Sequence, residues 1–273
     1  MLLHHEGAFP RGYAAIVDRR GPNADMLMDF GILTLGPGEA WAPGAADEKA
    51  LLLMSGNAAL SWKGGSHRGT RKSLLDEEPT VLSLPAGEDA RVEAGKAGAV
   101  FAVTRTDNPR RFEPRLILPG EGRSEERGKG TMGETSTRIV RTSFDDTDAP
   151  ESNLVLGEVI DAPGKWSSYP PHHHPQPEIY FYKFVPEQGF GLTRIGVEAH
   201  LLSDGDAVLI REGQVHPQVT APGYAMWYLW VIRHLDGNRY RSPRFEDEHL
   251  WVTEKDAKIW AIPSERRTGE GKR

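Results

Sequence analysis

The chain has 273 residues, 38% of them hydrophobic and 26% charged, with a formal net charge of −6 and no cysteine. That length allows one large domain or two small ones, and the missing cysteines exclude disulfide and thiolate chemistry, so any metal must be held by imidazole, carboxylate or backbone oxygen. The acidic balance has no basic stretch set against it, which argues against a nucleic-acid partner. The basic end at Arg266, Arg267, Lys272 and Arg273 is expected to be a solvated tail.

The opening Met-Leu-Leu-His-His-Glu lacks the basic and apolar regions of a secretory signal. No apolar run reaches the ~18 residues of a membrane helix. A cytoplasmic protein with no membrane contact is the expectation. Short apolar segments then recur with Gly/Pro punctuation: 28–35 before Gly36-Pro37-Gly38, 50–54 before Ser55-Gly56-Asn57, 80–84 before Pro85-Ala86-Gly87, and 99–104. These lengths and flanks predict strands rather than helices, and strands at this spacing suggest a sandwich or barrel.

Residues 119–135 are polar and Gly-rich and read as a linker. Beyond them the strand pattern restarts at 153–160, 177–184, 207–210 and 226–232. The segment Leu84-Pro85-Ala86-Gly87 matches Ile210-Arg211-Glu212-Gly213, and Ala90 falls where His216 stands. This points to an internal repeat. The expected division is an N-terminal barrel at 1–118 without metal ligands, a linker at 119–135 and a metal-binding barrel at 136–273.

The strongest signal is Tyr169-Pro-Pro-His172-His173-His174-Pro-Gln-Pro-Glu178. Side chains at i and i+2 of an extended chain share a face, so His172 and His174 can meet one ion while His173 points away. Glu178 follows a short bend, and His216, after the turn at Gly213, is the expected fourth donor. Three imidazoles and a carboxylate suit one divalent ion, zinc or manganese first, with iron and nickel compatible, and leave positions open. His4 and His5 have no such context.

These two stretches resemble the paired motifs of the cupins. The wording around them, Gly164-Lys-Trp-Ser-Ser-Tyr-Pro-Pro-His172, Pro186-Glu-Gln-Gly-Phe-Gly191, Gly205-Asp-Ala-Val-Leu-Ile210 and Ala221-Pro-Gly-Tyr-Ala-Met-Trp-Tyr-Leu229, resembles the 5-deoxy-glucuronate isomerase (IolB) family of myo-inositol catabolism, which is related to the 5-keto-4-deoxyuronate isomerases. The resemblance implies an all-β fold of two cupin-type (double-stranded β-helix, jelly-roll) barrels, a metal only in the second barrel, and aldose–ketose isomerisation of 5-deoxy-D-glucuronate to 2-deoxy-5-keto-D-gluconate. A small sugar acid would then be the ligand, and a homo-oligomer the expected assembly.

Such a reaction needs acid–base groups and a cation for the substrate carboxylate. Alternation from Glu178 puts Tyr180, Tyr182 and Phe184 on its face. Read the same way, Arg194 joins Phe190 and Leu192 on an apolar face and becomes the candidate carboxylate grip. The general base is left open between Tyr182 and a metal-bound water. No phosphate or dinucleotide fingerprint is present, so no organic cofactor is expected. Two other classes use the same residues: an iron-dependent cupin dioxygenase and a non-enzymatic sugar-binding cupin.

Overall fold

Alternating burial in Ala90–Thr106 shows how the chain builds its layers: Ala90, Val92 and Ala94 point inward and Arg91 and Glu93 outward, whereas Phe101 to Thr104 need cover on both faces. The computed structural model describes residues 1–262, and the basic positions Arg266, Arg267, Lys272 and Arg273 lie outside the described residues. Among those described, helix is confined to the short 3-10 turns Ala24–Met26, Met132–Glu134 and Asp247–Thr253. No helix there is long and apolar enough to cross a membrane.

The two halves repeat one topology. In the first, a sheet runs Gly12–Val17, Asp29–Leu35, Ala90–Thr106, Glu48–Trp62, Val81–Leu84, Arg115–Ile117. In the second, the order is Arg123–Arg127, Arg138–Phe144, Leu154–Asp161, Ala225–Arg233, Glu178–Val185, Ala207–Ile210, Leu2–Leu3. Neither sheet is a closed barrel; both are open. In the first half the long strands Glu48–Trp62 and Ala90–Thr106 bend across both layers, with register shifts at Leu53/Ser55 and Gly56/Ala58. Bulges of this kind sharpen a strand's curvature. Gly56 has φ +87°, and a Cβ there would lie 2.2 Å from the carbonyl oxygen of Gly98, so the bend requires glycine. In the second half a separate four-stranded sheet, Trp166–Ser167, Gln218–Thr220, Phe190–Ile195, Glu198–Ser203, supplies the second layer.

Two boundaries differ from the sequence expectation. Residues 119–135 are not a free linker: Arg123–Arg127 pairs fully with Arg138–Phe144. Its exposed side chains hid a strand whose backbone bonds, not its composition, hold it in the sheet. Leu2 and Leu3, at the other end of the chain, pair with Val208 and Ala207 and so belong to the second half's sheet. His4 and His5 act in that docking: His4 Nδ1 lies 2.7 Å from Asp206, and the His5 ring stacks on Phe9.

Because the centre of the seven-stranded sheet lies between the halves, its central strands Leu154–Asp161, Glu178–Val185, Ala207–Ile210 and Ala225–Arg233 are largely apolar on both faces. Ile179 and Phe181 meet Phe30, Ile32 and Leu52 of the first half in one shared core. Tyr180, Tyr182 and Phe184 face the second half's own interior. Through the shared layer passes a buried ion cluster. Glu158, fully buried, accepts from Arg71 at 2.7 and 2.8 Å, from Arg141 at 2.8 Å and from the Trp227 indole at 2.9 Å.

Candidate metal centre

Glu178 opens strand Glu178–Val185 and is registered to Ile210 on one side and Ile232 on the other, so its carboxylate is fixed by two ladders. His174 lies just before this strand. His216 lies just past the turn after Ala207–Ile210, where Gly213, at φ +71°, takes a conformation that favours glycine. The Gly213 N–H donates to the His174 carbonyl at 3.1 Å and stitches the two ligand loops together.

The result is a compact donor set. His174 Nε2 is 3.0 Å and His216 Nε2 3.3 Å from the same oxygen of Glu178. The ligand atoms of His174, Glu178 and His216 all lie within 4.8 Å of one another. His172 stands beside this trio, outside that tight cluster, with its ring 4.7 Å from the His216 ring. Its neighbour His173 turns away toward Glu246, at 3.5 Å.

The tautomers follow from the partners. Each histidine of the set has Nδ1 at a backbone carbonyl: His172 to Pro170 (3.2 Å), His174 to Gln176 (2.9 Å) and His216 to Gln214 (2.8 Å). A carbonyl only accepts, so Nδ1 carries the hydrogen and Nε2 of the neutral ring is a lone pair. Burial lowers the pKa of His216, and burial with the neighbouring His216 lowers that of His172 well below the ordinary value, so both rings are held neutral. The buried His216 Nε2 has no hydrogen-bond partner among the described residues. Lone pairs converging on a carboxylate repel it unless a cation lies between them. The residues therefore fit a divalent ion, and the backbone carbonyls are the outer contacts that orient metal-binding imidazoles.

The centre opens into a cavity of about 440 Å³, in the range of small-molecule sites. Tyr180 lines it, with its hydroxyl 3.1 Å from Ser168 Oγ. Burial raises the Tyr180 pKa well above 10, with the Glu178 charge adding to it. Tyr182, one alternation further, lies deeper and off the cavity wall. It is fully buried and donates to Gln218 Oε1 at 2.7 Å. The segment after the last long strand forms one wall: the Tyr240 ring packs 4.9 Å from His174, and Phe245 5.6 Å from His172.

Arg194 is not in the site. In strand Phe190–Ile195 the inward residues are Gly191, Thr193 and Ile195, while Phe190, Leu192 and Arg194 face outward. Hydrophobicity alone points to Phe190 and Leu192 as the inner face, but the closely packed interior admits Gly191 and Thr193 there and leaves Phe190 and Leu192 exposed. Arg194 donates to the carbonyl of Gly196 at 2.6 Å. The cations that do line the cavity are Arg123, Arg127, Arg138 and Arg241. Sequence reasoning passed over them because the first two lay in the presumed linker. The i, i+4 spacing of Arg123 and Arg127, one face of a strand, was the available signal.

A sequence profile of the KduI/IolB family matches residues 2–252. The 5-deoxy-glucuronate isomerase of Geobacillus kaustophilus (strain HTA426) is 30% identical over 82% of this chain and 85% of its own. The crystal structure of an IolB-like protein from Salmonella typhimurium LT2 superposes with a TM-score of 0.79 at 25% identity, over 89% of this chain and 96% of that one. Oxalate decarboxylase of Bacillus subtilis, in a study of its Mn(II) centres, shares the fold at TM-score 0.60 and 13% identity, over 90% of this chain and 78% of that one. The fold is thus the two-cupin fold, in the open-sheet form described above.

Proposed function

Because the chain belongs to the KduI/IolB family and is an isomerase, we propose that it converts 5-deoxy-D-glucuronate to 2-deoxy-5-keto-D-gluconate, an aldose–ketose step of myo-inositol catabolism, with one divalent ion held by His172, His174, Glu178 and His216. The observation that carries this reading is the convergence of imidazole lone pairs on the Glu178 carboxylate at 3.0 and 3.3 Å at the edge of an arginine-lined cavity. Zinc or manganese suits this donor set best.

When bound, the ion would act as a Lewis acid toward the carbonyl and hydroxyl oxygens of the substrate. The protein's own groups do the rest. Tyr180, kept neutral by burial, presents a hydroxyl that donates to a substrate oxygen as hydrogen moves between adjacent carbons. Ser168 holds that hydroxyl, Gln218 reaches Ser168 Oγ at 3.4 Å, and Tyr182 holds Gln218. Tyr182 is therefore a positioning residue.

The test is turnover of 5-deoxy-D-glucuronate by metal-reconstituted protein, beside His174→Ala and His216→Ala. Both variants are expected to lose the ion and the activity while melting cooperatively, since the core does not depend on the ion as a zinc finger's does. Near-normal turnover in either variant would reject the ligand assignment. An inactive, metal-loaded wild type would reject the reaction.

A further inference from the structure

We propose that Arg138 and Arg127 together form the seat for the substrate's carboxylate on the wall of the cavity beside the candidate metal centre. The inference rests on the sugar-acid reading above and deepens it.

Arg127 and Arg138 are direct register partners on neighbouring antiparallel strands, so their side chains leave the same face. Like charges in that position repel, and both line the cavity that holds His172, His174 and Glu178. An anion bound between them removes the repulsion. A guanidinium pair is suited to a carboxylate, whose two oxygens match the planar fork.

The other cavity arginines already have acidic partners. Arg123 is paired to Asp145, and Arg241 lies 3.4 Å from Asp146. Among the described residues Arg127 pairs with Glu125, 2.9 Å away on its own strand and half exposed like itself, a pairing that water largely screens. Arg138 has no carboxylate within 4.0 Å among the described residues. Its guanidinium is instead held by neutral acceptors: the Ser136 carbonyl at 2.8 Å, Ser136 Oγ at 3.0 Å and the Tyr169 carbonyl at 3.5 Å. These fix its direction without cancelling its charge.

One acid is close. Asp161 is the register partner of Arg138 on the opposite side, yet among the described residues no ion pair joins the two. It is fully buried, and burial, against the opposing pull of Arg138, pushes its pKa up to about 8. At neutral pH the protonated form prevails and does not satisfy Arg138. The substrate's own chemistry agrees with this placement: isomerisation occurs at C1 and C2 of the open chain, and the carboxylate is C6, at the other end. The acid therefore needs a holder apart from the metal ligands.

The experiment is calorimetric binding of D-glucuronate and of its neutral methyl ester to the metal-loaded protein, in wild type, Arg138→Gln, Arg138→Lys and Arg127→Gln, with the outward-facing Arg194→Gln as control. Wild type and the control are expected to prefer the acid. Arg138→Gln should weaken acid binding about 10- to 100-fold, the range of a bond to a charged group, and leave the ester unchanged. Arg127→Gln should shift in the same direction. Arg138→Lys should fall between, because an ammonium keeps the charge without the fork, and it carries the test if Arg138→Gln does not fold. Equal losses for acid and ester, no change in either, or a wild type indifferent to the acid would overturn the seat. Turnover of 5-deoxy-D-glucuronate reads the reaction separately. Turnover with acid binding indifferent to Arg138 removes the seat and keeps the reaction. Acid-selective binding that depends on Arg138, without turnover, removes the reaction and keeps the seat.

Discussion

Asp161 shows how one side chain ties the cavity to stability. It ends strand Leu154–Asp161 on the face that Val155 and Val159 present to the cavity, but lies beyond them, with no exposed surface. Arg138, Tyr228 and Tyr182 are the titratable groups that feel its charge. Its folded pKa is raised from 3.8 to about 8, so between those values the native state holds a proton that the unfolded chain has released. Stability from this group is complete below the lower value and is lost as pH rises through the upper one, by about 1.4 kcal/mol per pH unit in between. Asp161→Asn is expected to flatten that slope and to leave the variant more stable than wild type at pH 9. Urea unfolding at pH 5, 7 and 9 measures it. Parallel pH profiles for the two proteins would show that Asp161 ionises normally.

At the scale of elements, Leu154–Asp161 is read on both faces. Its even-numbered residues, Leu154, Leu156 and Ile160, join the shared core, and Glu158 enters the cluster with Arg71, Arg141 and Trp227. Gly157 is required on the other face, because a Cβ there would come within 2.5 Å of the Trp230 ring. The ion cluster links the halves, beside a second set of buried polar bonds in which Glu48 accepts from Ser152 and Asn153 and Thr106 accepts from Arg233. Replacing a buried cluster whole with apolar residues is often neutral, but removing one partner strands the others. Glu158→Ala leaves two arginines facing an empty site, one fully buried and one nearly so. It is expected to lower stability by about 3–5 kcal/mol, measurable as a lower urea midpoint. A loss under 1 kcal/mol would mean that the remaining contacts hold the halves together without the cluster.

At the scale of the molecule, the repeated topology shows how the two halves differ where, among the described residues, the second half carries the donor set. Lys49 is registered to Leu84 as Glu178 is to Ile210, and Ala90 follows Leu84 at the same sequence offset as His216 follows Ile210. Lys49 is fully buried and donates to the carbonyls of Gly44 and Glu88; burial lowers its pKa. An ammonium thus stands where the second half gathers its ligands, and its charge opposes a metal there. The expected stoichiometry is one ion per chain. Elemental analysis of untagged, reconstituted protein checks this, and a ratio near two would contradict the assignment of Lys49.

Much of this was legible in the residues themselves. The strand-rich pattern, the inward run Glu178, Tyr180, Tyr182, Phe184 and the opposed direction of His173 follow from period-two alternation and turn residues, which are local properties of the chain, whereas the segments 50–54 and 99–104 proved to be parts of the much longer strands Glu48–Trp62 and Ala90–Thr106. What alternation does not tell is which of its two faces is inside. Arg194 went to solvent and Gly191 and Thr193 inward because the packing of the four-stranded sheet, not the hydrophobicity of Phe190 and Leu192, decides that face. The pairing of Arg127 with Arg138, the burial of Asp161 between sheets and the crossing of Leu2–Leu3 to the second half depend on register between segments distant in sequence or on layers that close over them. Such contacts carry no signal at fixed spacing along the chain, and they came into being only when the sheets folded against one another.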